Sequence, residues 1–88
     1  MPIKFIRNIQ FTRLLKTGGR LREFNFRKSG AEEKFSVDTV DDRGNRIMFT
    51  MTKADGYWRL GNTLLPAWIT DYEGLLHENI EEELSHFH

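Results

Sequence analysis

The sequence contains no cysteine, only two prolines and no long apolar run. Without cysteine the chain has no disulfide, no thiolate metal site and no cysteine nucleophile, which argues against a small secreted scaffold. No apolar stretch approaches the roughly 20 residues of a membrane helix, and no secretory signal pattern follows the first residues. We therefore predict a cytoplasmic protein that makes no membrane contact.

Aromatic side chains, by contrast, are plentiful. Seven Phe, two Trp and two Tyr occur among 88 residues, of which 39% are hydrophobic and 30% are charged. This is the composition of a globular protein rather than a disordered one. The length leaves room for one hydrophobic core, so we predict a single domain over residues 1–88.

Four segments alternate apolar and polar side chains with the period of a β-strand, and short polar turns separate them. Asp55-Gly56, before the last segment, is the strongest hairpin signal in the chain. Strands that recur about every ten residues pair sequentially, so we predict an antiparallel meander. The predicted strands cover residues 21–28, 34–41, 46–53 and 57–60.

Residues 4–17 fit two structures. As a strand they place Ile9, Phe11 and Leu15 on one face, and Gly18-Gly19 would then turn a hairpin into the next strand. As a helix their apolar side chains align only roughly, and the two glycines would form its C-cap. The strand is slightly favoured.

The last third of the chain has apolar side chains three or four residues apart, which is the pattern of one helix face. Pro66 suits the first helical position, so we predict one helix over residues 66–84. Thr70 to Glu73 also fits a capping box, which would start the helix at Asp71 instead. The predicted fold class is α+β: an antiparallel β-meander of four or five strands with one C-terminal amphipathic helix packed on one face.

The predicted core lies between the sheet and the helix. Trp58 and Trp68 flank the corner between the last strand and the helix, and we expect both to anchor it. Full burial of Trp68 would make its replacement by alanine cost roughly 3–5 kcal/mol. The predicted core residues are Phe24, Phe26, Phe35, Val37, Ile47, Phe49, Met51, Trp58, Leu60, Leu65, Trp68, Ile69, Tyr72, Leu76 and Ile80.

The net charge is zero, but the charges are sorted along the chain. Eight of the nine charged residues in 1–30 are basic, and all six in 63–88 are acidic. Either the acidic helix neutralises the basic strands within the fold, or a basic patch and an acidic face remain open to partners.

No pattern of catalytic or metal-binding residues emerges. The serines show no nucleophile-elbow or triad spacing, Asp41-Asp42 fits a turn, and the run 81–83 of glutamates fits a solvated helix face. His77 lies off the main helix stripe, while His86 and His88 form an H-x-H without an evident third ligand. We predict no enzymatic activity, no cofactor, no metal site and no small-molecule substrate.

The segment 20–28 combines basic residues with Phe24-x-Phe26, which suits base stacking on an open sheet, although the two Phe also fit a core. With four strands followed by one helix, residues 20–84 resemble the layout of Pur-type repeats, the purine-rich-element-binding family. The resemblance rests on element order and Phe24-x-Phe26 rather than on a specific motif. It implies dimer-like pairing of repeats and binding of single-stranded nucleic acid.

Two functions follow as hypotheses. The first is non-enzymatic binding of a protein partner, or of a second copy as a homodimer, through the sheet face that the helix leaves uncovered, around Val40, Met48 and Tyr57. The second is binding of single-stranded nucleic acid by the basic N-terminal third. Its contact residues would be Arg13, Lys16, Arg20, Arg22, Arg27 and Lys28.

Overall fold

The computed structural model describes residues 8–28, 30, 32–61 and 64–87. Five strands form one antiparallel sheet in which each strand pairs with the next along the chain, so the predicted α+β meander is confirmed. The bounds of the later four strands lie within one residue of the predicted ones. The strands are β1 Ile9–Thr17, β2 Arg20–Lys28, β3 Lys34–Val40, β4 Arg46–Ala54 and β5 Tyr57–Leu60.

Residues 4–17, whose sequence fitted both a strand and a helix, contain β1. Only the part from Asn8 onward lies in the described residues. β1 pairs with β2 over its whole length, from Ile9 opposite Lys28 to Thr17 opposite Arg20. Gly18 and Gly19 both adopt positive φ, which a two-residue hairpin turn with the right twist requires.

The sheet is strongly curled, as its aromatic contacts show. Adjacent strands lie about 4.8 Å apart, so side chains two strands apart on a flat sheet are separated by about 10 Å. Phe35 on the middle strand nevertheless contacts Phe11 of β1 at 5.8 Å and Trp58 of β5 at 5.2 Å between ring centroids. The curl closes the concave face around Phe35, which is fully buried.

The concave face carries most of the predicted core. Phe24, Phe26, Met51 and Trp58 are almost completely buried, and each such side chain contributes roughly 2–3 kcal/mol by area. Ile9 and Leu15 are also buried. The predicted core did not include them, because the sequence left the secondary structure of residues 4–17 undecided. Five predicted core residues are only partly buried: Ile47, Leu60, Leu65, Trp68 and Tyr72.

The prediction of one continuous helix over residues 66–84 is wrong. The chain forms a single turn α1, Ala67–Thr70, and then α2, Glu73–Leu84, which continues into a 3-10 turn, Ser85–Phe87. The alternative start at Asp71 is wrong as well, since Tyr72 is the residue before α2 and makes no side-chain cap. The capping box does not form: Thr70 is the last residue of α1 and its backbone N–H donates to Pro66, while Glu73 accepts a hydrogen bond from the backbone of Leu60.

α2 connects the two edge strands of the sheet. Its first half lies beside β5, where Glu73 and His77 accept backbone N–H groups of Leu60 and Trp58. Its second half reaches β1, where Arg13 donates to Glu82 and to Glu83. A helix that accepts edge N–H groups protects the strand against pairing with another chain.

Within the described ranges, no helix has both the length and the apolar character needed to cross a membrane.

Candidate binding face

The convex face of the sheet, which the helices leave open, carries four exposed aliphatic side chains. Leu14 is 61% exposed, Leu21 67%, Val40 43% and Met48 61%. The register places all four on the same side of the sheet, where Leu14 lies opposite Glu23 and Met48 lies opposite Asp38. We call this surface the uncovered face, and its strand positions alternate with those of the core.

Charged side chains surround these aliphatic groups, and basic ones predominate. Asp38 and Glu23 are the acidic residues at strand positions of the uncovered face, as the pairing register shows. The basic residues at such positions outnumber them; they are Lys16, Arg27, Lys34, Arg46 and Arg59. The uncovered face is therefore basic, although the whole chain is neutral.

Asp38 is the centre of a polar network on this face. Its carboxylate is 6% exposed and accepts hydrogen bonds from Arg46 at 2.6 Å, Asn25 at 3.0 Å and Arg27 at 3.5 Å. Thr12 extends the network to β1 by donating to Asn25 at 2.7 Å. Two arginines share this one carboxylate, so positive charge remains in excess around it.

A cavity of about 510 Å³ opens at the end of the uncovered face where β1 begins and β2 ends. Its charged lining consists of three basic side chains, Arg27, Lys28 and Lys34, and one acidic side chain, Glu32. Met48 contributes an aliphatic wall. The remaining lining residues are Asn8, Ile9, Gln10 and Ser36.

The structure does not bring the predicted nucleic-acid contacts together. Arg22 is buried, donates to the carbonyl of Thr17 and lies over the ring of Trp68 at 3.8 Å. Arg13 faces the helix, and its hydrogen bonds with Glu82 and then Glu83 raise the pKa of its guanidinium. Both residues therefore point away from the uncovered face.

The other four predicted contacts lie in three different places. Arg20 is exposed and pairs with Asp42 at 3.0 Å. Lys16 and Arg27 occupy strand positions of the uncovered face. Lys28 lines the cavity and donates to the carbonyl of Gly30 at 3.0 Å.

Stacking of bases on Phe24-x-Phe26 is excluded in this fold. Both rings are fully buried on the concave face, where Phe26 stacks on Phe11 at 4.6 Å and Phe24 meets Trp68 at 6.5 Å. The resemblance to Pur-type repeats therefore loses the aromatic pair on which it rested, and five strands rather than four precede the helix.

The predicted partner-binding residues are also divided. Val40 and Met48 are exposed neighbours on β3 and β4. Tyr57 is half-buried at the edge of the sheet, where its ring stacks on His77 of α2 at 4.1 Å. Leu14, which was not among the predicted contacts, joins the aliphatic group instead because β1 is a strand.

The candidate catalytic groups have structural roles. Asp41 accepts the backbone N–H of Asn45 and of Arg43, and these bonds lower the pKa of its carboxyl and close the turn between β3 and β4. Asp42 pairs with Arg20 and Arg22.

No cluster of three or more potential metal ligands occurs in the part of the chain that the structure describes, and His88 of the H-x-H motif lies outside it.

Comparisons with protein-family models, with curated proteins and with solved structures found no match to this chain.

Proposed function

We propose that this chain is a cytoplasmic binding domain whose uncovered face holds a protein segment with both acidic and aliphatic side chains. One observation carries the proposal: exposed Leu14, Leu21, Val40 and Met48 lie on a face where basic residues exceed acidic ones. Aliphatic side chains of a partner would cover the apolar group, and its carboxylates would pair with the surrounding cations.

The chemistry of the face favours this partner over the two alternatives. A second copy would present the same basic surface, so face-to-face pairing would oppose like charges. Single-stranded nucleic acid would satisfy the cations, but base recognition without sequence preference depends on aromatic platforms. Tyr57, the aromatic residue at a strand position of this face, is already stacked on His77.

The proposal is tested with a peptide of alternating Glu and Leu added to isotope-labelled protein. We expect amide shifts to concentrate around Leu14, Leu21, Val40 and Met48, and binding to weaken when each Glu of the peptide is replaced by Gln. Lys34→Glu should reduce affinity about tenfold, because one favourable charge becomes repulsive. Arg43→Glu, at an exposed turn position, is the matched control and should bind normally.

Three outcomes contradict the proposal. Shifts confined to the helices would place binding elsewhere. Tighter binding of a mixed single-stranded oligonucleotide at about 50 mM salt, with a steep loss on adding salt, would favour the nucleic-acid hypothesis. Concentration-dependent dimerisation that the peptide does not reverse would favour self-association.

A further inference from the structure

Three titratable acceptors on α2 hold the edge strand β5. Glu73, His77 and Glu81 are four residues apart and therefore share one side of the helix. Glu73 accepts the backbone N–H of Leu60 at 2.8 Å, and Nδ1 of His77 accepts the backbone N–H of Trp58 at 3.1 Å. Glu81 accepts the indole N–H of Trp58 at 2.7 Å.

His77 differs from the two carboxylates because its acceptor atom is lost on protonation. An imidazole that accepts at Nδ1 is neutral and carries its proton on Nε2. Once protonated, Nδ1 bears a hydrogen that points at the N–H of Trp58, and neither group can accept. A carboxylate that gains one proton still retains acceptor oxygen.

Both acidic and basic side chains lie near His77, so some favour its protonated form and others oppose it. On its own helix, Glu73 and Glu81 attract an imidazolium. From β4, Lys53 lies 3.3 Å from the Glu81 carboxylate, and from β5, Arg59 lies over the Tyr57 ring that stacks on His77. This attraction opposes separation of the helix from the strand, but Glu73 and Glu81 already accept the backbone N–H of Leu60 and the indole N–H of Trp58 rather than the backbone N–H of Trp58.

We call the hydrogen bonds from β5 to Glu73, His77 and Glu81 the clasp. We propose that the clasp is acid-sensitive: protonation of His77 releases the Trp58 backbone N–H and opens the edge of the strand. β5 has only four residues, and two of its backbone N–H groups depend on this helix. Opening this contact exposes the edge of a short strand while the concave core, centred on Phe35, stays closed.

Hydrogen exchange measured amide by amide tests the clasp in the full chain. The protection factor, which corrects for the intrinsic effect of pH, should fall about tenfold for Trp58 between about pH 8 and about pH 5. The amide of Val37, on the central strand β3, should keep its protection over the same range. Equal loss at both amides would show general loosening and overturn the proposal.

Matched variants separate His77 from other groups. His77→Asn places an amide oxygen where Nδ1 lies and does not titrate, so the protection factor of Trp58 should become independent of pH. His86→Asn, at an exposed position beyond α2, should behave as the unmodified protein does. A protection factor that still falls about tenfold in His77→Asn would overturn the proposal.

A second measurement does not depend on how the variants fold. Nitrogen chemical shifts of the His77 ring in the unmodified protein report which nitrogen carries the proton. We expect the Nε2-protonated form near pH 8 and the imidazolium at the pH where the protection of Trp58 falls. A ring protonated on Nδ1 near pH 8, or one that titrates at a different pH from the loss of protection, would overturn the clasp.

Discussion

Trp68 packs directly on the backbone of Gly18. A Cβ atom at Gly18 would lie 2.7 Å from Cβ of Trp68, which is too short for two carbon atoms that are not bonded to each other. Gly18 also has φ of +61°, a conformation that glycine adopts without strain. The β1–β2 turn and α1 are therefore fitted to each other.

This contact predicts different results for two neighbouring glycines. Gly19 also has positive φ, but a Cβ there would meet no atom within 4 Å. Gly19→Ala should therefore cost about 1–2 kcal/mol from backbone strain alone. Gly18→Ala should cost about 2–4 kcal/mol, because the added carbon also displaces Trp68. Urea unfolding measures both, and equal losses would contradict the packing.

Trp68→Ala should cost less than full burial would imply. Trp68 is half-buried; the Arg22 guanidinium lies over its ring, and its ring also meets that of Phe24 in an edge-to-face arrangement. We expect a loss of about 2–4 kcal/mol in the free energy of unfolding, because part of the ring already contacts water. Trp58→Ala, which empties a 99% buried site, should cost more in the same urea titration.

Two buried threonines should respond in opposite ways to replacement by valine. The Thr17 hydroxyl is buried and has no hydrogen-bond partner among the described residues, whereas the Thr39 hydroxyl donates to the Glu23 carbonyl at 2.8 Å. Thr17→Val should raise stability by about 0.5–1 kcal/mol, and Thr39→Val should lower it by about 1 kcal/mol. Thermal unfolding of the two variants in parallel checks the signs.

Glu81 should contribute to loss of stability in acid. Burial acts to raise the pKa of its carboxyl, but hydrogen bonds from Trp58 and Lys53 and the charge of Lys53 together hold that pKa below the ordinary value of 4.5. Its ionised form therefore stabilises the fold above about pH 4.5, and this contribution is lost as the pH falls through the lowered pKa.

Glu81→Gln removes this dependence. The variant should lose less stability than the unmodified protein when the pH is lowered from neutrality to below 4.5, the ordinary pKa of the replaced group. Glu78→Gln, at an exposed position on the same helix, is the control. Urea midpoints measured across this range should separate the two variants, and identical slopes would show that the bond to Trp58 is not made.

The strands were predictable because their signals are local. Alternation with a period of two and turn residues such as Asp55-Gly56 act over a few residues, and they located four strands to within one residue. The break in the helix was not predictable from local signals. The sequence around Thr70 and Glu73 offers a capping box, but Glu73 binds the backbone of Leu60, which lies 13 residues earlier in the chain.

The candidate site shows the same division. Val40 and Met48 were assigned to the uncovered face from alternation alone, and both are exposed. Tyr57 also occupies a strand position of the uncovered face. Its ring stacks on His77 of α2, however, so it is not an exposed contact residue like Val40 and Met48. The sequence did not decide whether the acidic helix neutralises the basic N-terminal segment. In the structure Arg13 pairs with Glu82 and Glu83 of the helix, whereas Lys16 lies on the opposite face of the sheet.

The meander, the two faces of the sheet and the aromatic core were predictable from local patterns, because side-chain alternation and turn chemistry are properties of neighbouring residues. The curl of the sheet, the break in the helix and the set of cations that remain open to a partner are visible only in the folded chain. These features depend on contacts between residues distant in the chain, such as Arg13 with Glu83 and Trp58 with His77, and local patterns carry no record of them.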